Sequence, residues 1–318
     1  MTQKPSDKAL HISKCLELAI LFEISADKPG NVNLTTGFES TRYEHFLVSA
    51  VAAAPWFRHA AEKGIACSEG RIRLGEIGVG ELIKQCVADI DQWQKGGNTL
   101  LGTVILLMPI AVAAGMTPQK DDGSFKISEL RENVGRVVRS TTSEDAVAVY
   151  RAIEIARPSG LNKVPELDVN DPASVNKIME RGISLYQVFE IGSKWDSVCA
   201  EWVKNYPVTF DVAYPFLMQV LREDGNLNTA VIHAFLKVLS ENPDTFIARK
   251  IGINKAEEVS SAAKQVLALG GLKTEEGKKK LHEFDLKLRS SNNLLNPGTT
   301  ADIVAAALSL CVLGGYRP

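Results

Sequence analysis

The sequence predicts an all-α protein, a single multi-helix orthogonal bundle around one central apolar helix. Three observations carry that expectation. Apolar residues recur at helical spacing along nearly the whole chain, while alternating strand-like runs are nearly absent. The periodic stretches are joined by short connections rich in Gly, Pro or Asn, with no low-complexity linker and no repeat of fixed period. The stretch 99–117 carries no charge; Pro109 at its centre and Gly102 and Gly115 near its ends favour a buried helix over a membrane span, for which its length is marginal. With 318 residues and 45% hydrophobic content, the chain is large enough to bury one sizeable core. Apolar helices of similar character flank both longer polar pieces, 117–124 and 161–171, so 1–318 reads as one domain.

In chain order, Leu10, Ile12, Leu16, Ala19, Ile20, Phe22 and Ile24 form an apolar stripe behind a Ser6-Asp7 cap, and that helix stops at Asp27-Lys28-Pro29-Gly30. Thr41-Arg42-Tyr43-Glu44 has capping-box spacing before a helix over 46–63, kinked at Pro55 and ended by Gly64. Further helices are expected over 80–94, 99–114, 128–139, 143–156, 172–189 and 194–205. The pattern continues over 212–222, 228–241, 255–269, 275–289 and 300–313.

Charge and composition exclude several classes of function. Lys plus Arg number 36 against 38 for Asp plus Glu, and a net charge of −2 gives no field for nucleic acid or anionic lipid. An anionic ligand must therefore be met by local cations. Cys15, Cys67, Cys86, Cys199 and Cys311 are scattered and odd in number, which suits reduced core residues of a cytoplasmic protein rather than a zinc site. Asp7 and Lys8 precede an amphipathic pattern rather than an apolar plug, so no signal peptide is expected. The histidines form no metal-spaced pair; His45 alone lies near a candidate site, as a potential proton shuttle. No Gly-x-Ser-x-Gly elbow supports a covalent nucleophile, and the glycines over 75–80 lack both the spacing and the preceding strand of a phosphate-binding loop.

Five loop-to-helix junctions concentrate polar residues that a core does not require. Glu23 is followed by Lys28-Pro29-Gly30-Asn31, and Gly96-Gly97-Asn98-Thr99 lets a backbone approach a ligand just before the most apolar helix. Arg157-Pro158-Ser159-Gly160-Leu161 sets a guanidinium beside a tight turn. Pro243-Asp244-Thr245 leads by one helical turn to Arg249 and Lys250. Asn296-Pro297-Gly298-Thr299-Thr300-Ala301-Asp302 opens an apolar helix whose first N–H groups suit an anion, with Asp302 in the first turn to hold a metal ion beside it. Each junction taken alone also fits ordinary turn and capping chemistry; their joint occurrence is what points to a site.

These segments, in this order, resemble the triphosphoribosyl-dephospho-coenzyme A synthase family over nearly the whole chain. Glu23 with Lys28-Pro29-Gly30, Asn98-Thr99 with Gly102, Asp244-Thr245 with Arg249, and Pro297-Gly298 with Asp302 are similar to its motifs. The resemblance implies a pentosyltransferase that joins the 2′-hydroxyl of 3′-dephospho-coenzyme A to the anomeric carbon of ATP and expels adenine. Through an oxocarbenium-like state, such chemistry calls for carboxylates, and a retained triphosphate calls for Mg²⁺ and cations. By that resemblance Glu23, Asp244 and Asp302 are the carboxylates for metal binding or acid/base work, and Lys28 and Arg249 meet phosphates with Lys250 in support. Asn98, Thr99, Gly298 and Thr299 orient phosphate or ribose. Where many bacterial members carry a His-x-Asp-Met type segment, this chain has Phe38-Glu39-Ser40-Thr41-Arg42-Tyr43-Glu44-His45, which resembles a divergent or archaeal-type branch and leaves room for another acceptor, such as a pterin-type coenzyme precursor. The implied partners are ATP and dephospho-coenzyme A, without nucleic acid or membrane, and a homodimer stays open. The competing class is a non-catalytic helical protein that binds nucleotide without turnover.

Overall fold

Among the described residues, helical periodicity is realised as fifteen α-helices. The structure, a computed structural model, describes residues 5–290 and 294–318. Among the described residues there is no strand, only an isolated bridge between Gln119 and Phe125 inside the polar loop 117–126. The helices are α1 (Pro5–Ser25), α2 (Tyr43–Ser68), α3 (Val79–Trp93), α4 (Leu101–Met116), α5 (Ile127–Arg139), α6 (Ser143–Ala156), α7 (Pro172–Arg181) and α8 (Leu185–Gly192). Then follow α9 (Ser197–Val203), α10 (Tyr214–Asp224), α11 (Leu227–Glu241), α12 (Thr245–Ile251), α13 (Ile253–Ala268), α14 (Glu275–Arg289) and α15 (Gly298–Leu313).

Two helices, not one, occupy the interior. α4 is buried without interruption from Thr103 to Gly115, and α15 from Ile303 to Leu313. Neither has a polar face to turn to water, so each is covered on all sides: α4 by α1, α2, α3, α5 and α15, and α15 by α1, α10 and α11 as well. Within the described residues no helix is long and apolar enough to cross a membrane. Pairing of α1 with α15 brings the two ends of the chain together, and the Lys8 ammonium donates to Gly115 O at 2.7 Å and Thr117 O at 2.8 Å, meeting the negative end of α4.

Four boundaries depart from the sequence expectation, each for a local reason. α1 begins at Pro5, so Ser6 and Asp7 lie within its first turn rather than before it. α2 runs through Gly64 to Ser68, because Gly64 is a contact glycine and not a stop. A Cβ there would sit 2.0 Å from Val112 O, and one on Gly115 would sit 2.3 Å from Ala61 O, so the two glycines let α2 and α4 touch backbone to backbone. The single helix expected over 172–189 divides where Gly182, at φ +61°, caps α7 and Ser184 opens α8 with its hydroxyl on Gln187 N. Before α10, a π-helical turn spans Val208–Ala213; the buried Glu201 carboxylate accepts from Val208 N and Thr209 N, both at 2.9 Å, and fixes where that turn starts.

Candidate active site

Short connections aim the C-terminal end of α1 and the N-terminal ends of α4 and α15 at the same region, with α12 packed against α15. A cavity of about 200 Å³ opens there, and its wall includes Glu23, Asn98, Thr99, Arg249, Gly298, Thr299 and Asp302. Residues of four of the five junctions thus meet in one place, with Pro158 and Leu161 supplied by the fifth. Lys28, Asp244 and Lys250 do not line that cavity.

Asp302 is the most exacting part of the wall. Because α15 starts at Gly298, Asp302 stands at its fifth position, beyond the first turn in which the sequence places it, and meets the start of α4, where Thr103 Oγ1 donates to Asp302 Oδ1 at 2.6 Å. A Cβ on Gly102 would come within 2.1 Å of Asp302 Oδ2, so only glycine leaves the seat open. Burial pushes the carboxyl up to about 7; the Thr103 bond opposes that rise, and the charges of Glu23, Asp244 and Asp196 add to it. The Thr103 bond engages one oxygen of a carboxylate that can accept about four.

Asp244 has spent that capacity. Its Oδ1 accepts from Phe246 N at 2.9 Å and Ile247 N at 3.0 Å, capping α12, and its Oδ2 accepts from Thr300 N at 2.7 Å and Thr300 Oγ1 at 2.8 Å, joining α12 to α15. Burial raises its pKa and these bonds oppose the rise. This bears on the helix start expected to hold a bound anion. Gly298 N donates to Asn296 O at 2.9 Å and Thr300 N to Asp244, so the anion at the α15 N-terminus is one of the chain's own carboxylates.

The cations are similarly arranged. Lys28 is fully buried, 3.0 Å from Glu23 Oε1, and also donates to Glu23 O and, at 3.2 Å, to Ala26 O. It is the counter-ion of Glu23, whose pKa burial raises against the pull of Lys28, and not a group reaching into the cavity. Gly30, at φ +72°, donates its N–H to Asp285 Oδ1 at 2.8 Å and completes the turn that buries Lys28. Arg249 bonds Asp196 Oδ2 through Nη1 and lies over the Phe246 ring, 5.6 Å from its centroid, while its Nε is buried without a protein partner. Lys250 has its ammonium 3.9 Å from the same ring, and burial brings its pKa down to about 8.

Asn98 Oδ1 accepts from Leu101 N at 3.1 Å and so fixes the start of α4, and Thr99 bonds the Ser49 hydroxyl at 2.8 Å. His45, which the sequence offered as a proton shuttle, accepts from Arg42 N through Nδ1 at 3.0 Å and so closes the start of α2; it is absent from the cavity wall. Among the described residues no group of three or more His, Cys, Asp or Glu side chains is spaced to hold a metal ion. Sequence reasoning missed Asp196, which clamps Arg249, and Thr103, which clamps Asp302. Asp196 also caps α9 by accepting from Val198 N and Cys199 N, a pattern that reads as ordinary capping, and Thr103 stands in an otherwise apolar run. Asn296, whose Oδ1 is buried without a protein partner, completes the wall.

Comparison with known proteins gives this geometry a context. The sequence pattern of the family described as ATP:dephospho-CoA triphosphoribosyl transferase matches residues 9–317. A protein of Escherichia fergusonii named 2-(5″-triphosphoribosyl)-3′-dephosphocoenzyme-A synthase is 24% identical over 94% of this chain and 89% of its own length. Proteins of Pseudomonas fluorescens and Malonomonas rubra, provisionally given the same name, are 30% and 25% identical, over 34% and 69% of this chain. Those two alignments span 36% and 60% of the relatives' own lengths, less than two thirds of either. A solved structure from Archaeoglobus fulgidus, described as a candidate triphosphoribosyl-dephospho-CoA synthase, shares the fold at a TM-score of 0.61, with 23% identity, 85% of this chain and 100% of that chain covered. Spanning all but the first few residues and the last, the match leaves no doubt about kinship: the chain belongs to the ATP:dephospho-CoA triphosphoribosyl transferase family.

Proposed function

We propose that the cavity beside Asp302 carries out the reaction for which its family is named, moving the triphosphoribosyl group of ATP onto a hydroxyl of 3′-dephospho-coenzyme A with release of adenine, within a single domain. The observation that carries this reading is Asp302 itself: a half-buried carboxylate at the cavity wall, held through one oxygen by Thr103, with its pKa raised to about 7. A base with that poise removes a proton efficiently at physiological pH. In the reaction the acceptor oxygen forms a bond to the ribose anomeric carbon, the bond from that carbon to adenine breaks with its electron pair going to the purine nitrogen, the hydroxyl proton passes to Asp302, and one proton returned through solvent converts the departing purine to free adenine and restores the Asp302 carboxylate. Positive charge developing on the ribose in the transition state is met by Glu23, whose buried carboxylate is paired with the Lys28 ammonium at 3.0 Å.

Arg249 and Asn98 orient the polyphosphate and ribose, and Asp196 holds the Arg249 guanidinium in place. ATP enters as its magnesium complex. The residues present suit a metal that travels with the substrate, keeping its waters and phosphate oxygens, better than a cage built from Glu23, Asp244 and Asp302, since Asp244 accepts four hydrogen bonds already. Asp244 serves the site by locking α12 to α15. The test is to incubate the protein with ATP, Mg²⁺ and dephospho-coenzyme A and to assay free adenine beside phosphate and pyrophosphate. Adenine equal to the adduct formed supports the reading, whereas phosphate or pyrophosphate without adenine overturns it.

A further inference from the structure

We infer that a second, larger cleft adjoining the reaction cavity binds the pantetheine arm of the acceptor; this rests on the proposed transfer reaction. The cleft has a volume of about 700 Å³ and lies under the loop 161–169, against Tyr150, Val188, Trp195 and Ala248. That volume is within the range of preformed small-molecule sites. It shares Ile153, Leu161, Phe189, Asp196, Cys199 and Arg249 with the reaction cavity, so the two spaces meet along a seam whose charged part is the Asp196–Arg249 pair.

Chemistry changes along this path in the order that the acceptor requires. At the inner end stands Asp302, where a ribose hydroxyl has to lose its proton. At the junction the Arg249 Nε is buried and lacks a protein acceptor, a cost that a phosphate oxygen in a diphosphate would remove with a charge-assisted bond. Beyond it the wall is mainly aliphatic and aromatic, suited to the dimethyl-substituted, amide-containing arm that follows the diphosphate. The roof is preformed. Tyr150 Oη donates to Leu167 O at 2.5 Å, Asp168 accepts from Val164 N at 3.0 Å and Asn170 N at 2.8 Å, and Asn162 Nδ2 donates to Arg249 O at 2.8 Å, pinning the loop to α12. The arm therefore enters a built space with little ordering cost.

The experiment uses the full chain and fills the cleft away from the reaction cavity with Ala248→Phe and, separately, Val188→Phe, each checked for its fold by circular dichroism. Adenine release is measured with dephospho-coenzyme A and with ADP, which offers the same ribose and diphosphate without the arm. The KM for dephospho-coenzyme A should rise roughly tenfold or more in the folded variants, with kcat/KM for ADP and KM for ATP unchanged. Pantetheine alone, titrated against the wild type, should alter tryptophan fluorescence, and Trp195→Phe should remove that response. An unchanged acceptor KM in every folded variant, or a rise in KM for ATP instead, overturns the assignment. The two readings fail separately: pantetheine binding with no adenine release from any acceptor keeps the cleft and sinks the transfer, whereas adenine release insensitive to the filled cleft keeps the transfer and sinks the arm site.

Discussion

Asp244 and Asp302 belong to the same junction of α12 with α15: Asp244 caps α12 directly after Pro243, and Asp302 stands at the fifth position of α15, which starts after Pro297. Their surroundings are opposite. Asp244 lies in a sealed region where four donors from two helices converge on it, and nothing is left for a ligand. Asp302 faces the cavity with one bond from Thr103 and the neighbouring carboxylates of Glu23, Asp244 and Asp196. In the proposed site, unspent hydrogen-bond capacity rather than residue type separates Asp244, the strut, from Asp302, the proposed base.

The contrast is broken most severely by substituting each carboxylate in turn. Asp302→Asn should lower kcat for adenine release by roughly 10²–10⁴-fold while the Kd for ATP changes little, as adenine assay and calorimetry would read. It should also stabilise the protein above neutrality. Burial raises the folded pKa of Asp302 to about 7, above its unfolded value, so the folded state binds the extra proton and stability falls as pH climbs from the unfolded pKa through about 7. Removing the charge lifts that cost, which at pH 8 amounts to at most about 4 kcal/mol; thermal melts at pH 8 and at pH 5 should show the gain shrinking at the lower value.

Asp244→Asn should do the reverse. An amide cannot accept from all four donors and sets its own N–H groups against them, so the loss should be about 2–4 kcal/mol in urea unfolding, with activity falling only as far as the α15 start shifts. Gly102→Ala sharpens the comparison by moving Asp302 without changing it. The new methyl group collides with Oδ2, so kcat should drop by roughly tenfold to a hundredfold while the melting temperature moves little. The smallest effect is expected of Arg249→Lys, which keeps the charge but loses the planar donor set; KM for the phosphorylated substrates should rise by about tenfold.

Much of this was legible in the chain. Periodicity located the helices, because a buried face has to recur every 3.6 residues whatever it packs against. Glu23, Asn98, Arg249 and Asp302 stood out since polar groups at helix mouths exceed what capping requires, and the structure brings them to one cavity. Lys28 was legible as part of the site but not in its task, because a lysine in a turn gives no sign that the fold will bury it against Glu23. The Asp196–Arg249 pair, 53 residues apart, depends on how α9 and α12 pack, and local sequence carries no trace of it. Gly64 misled in the same way: a glycine at a helix crossing and one at a helix end look alike until the partner's carbonyl is known.

The most direct test of the distinction drawn here is the pH dependence of kcat/KM for adenine release, compared between the wild type and Asp302→Asn. With Asp302 as the base, the wild-type profile should rise with unit slope and level off near its pKa of about 7, and the residual rate of the variant should be flat over that interval. A wild-type profile without an inflection between pH of about 5 and 9, or a variant that keeps both the rate and the inflection, would contradict the account.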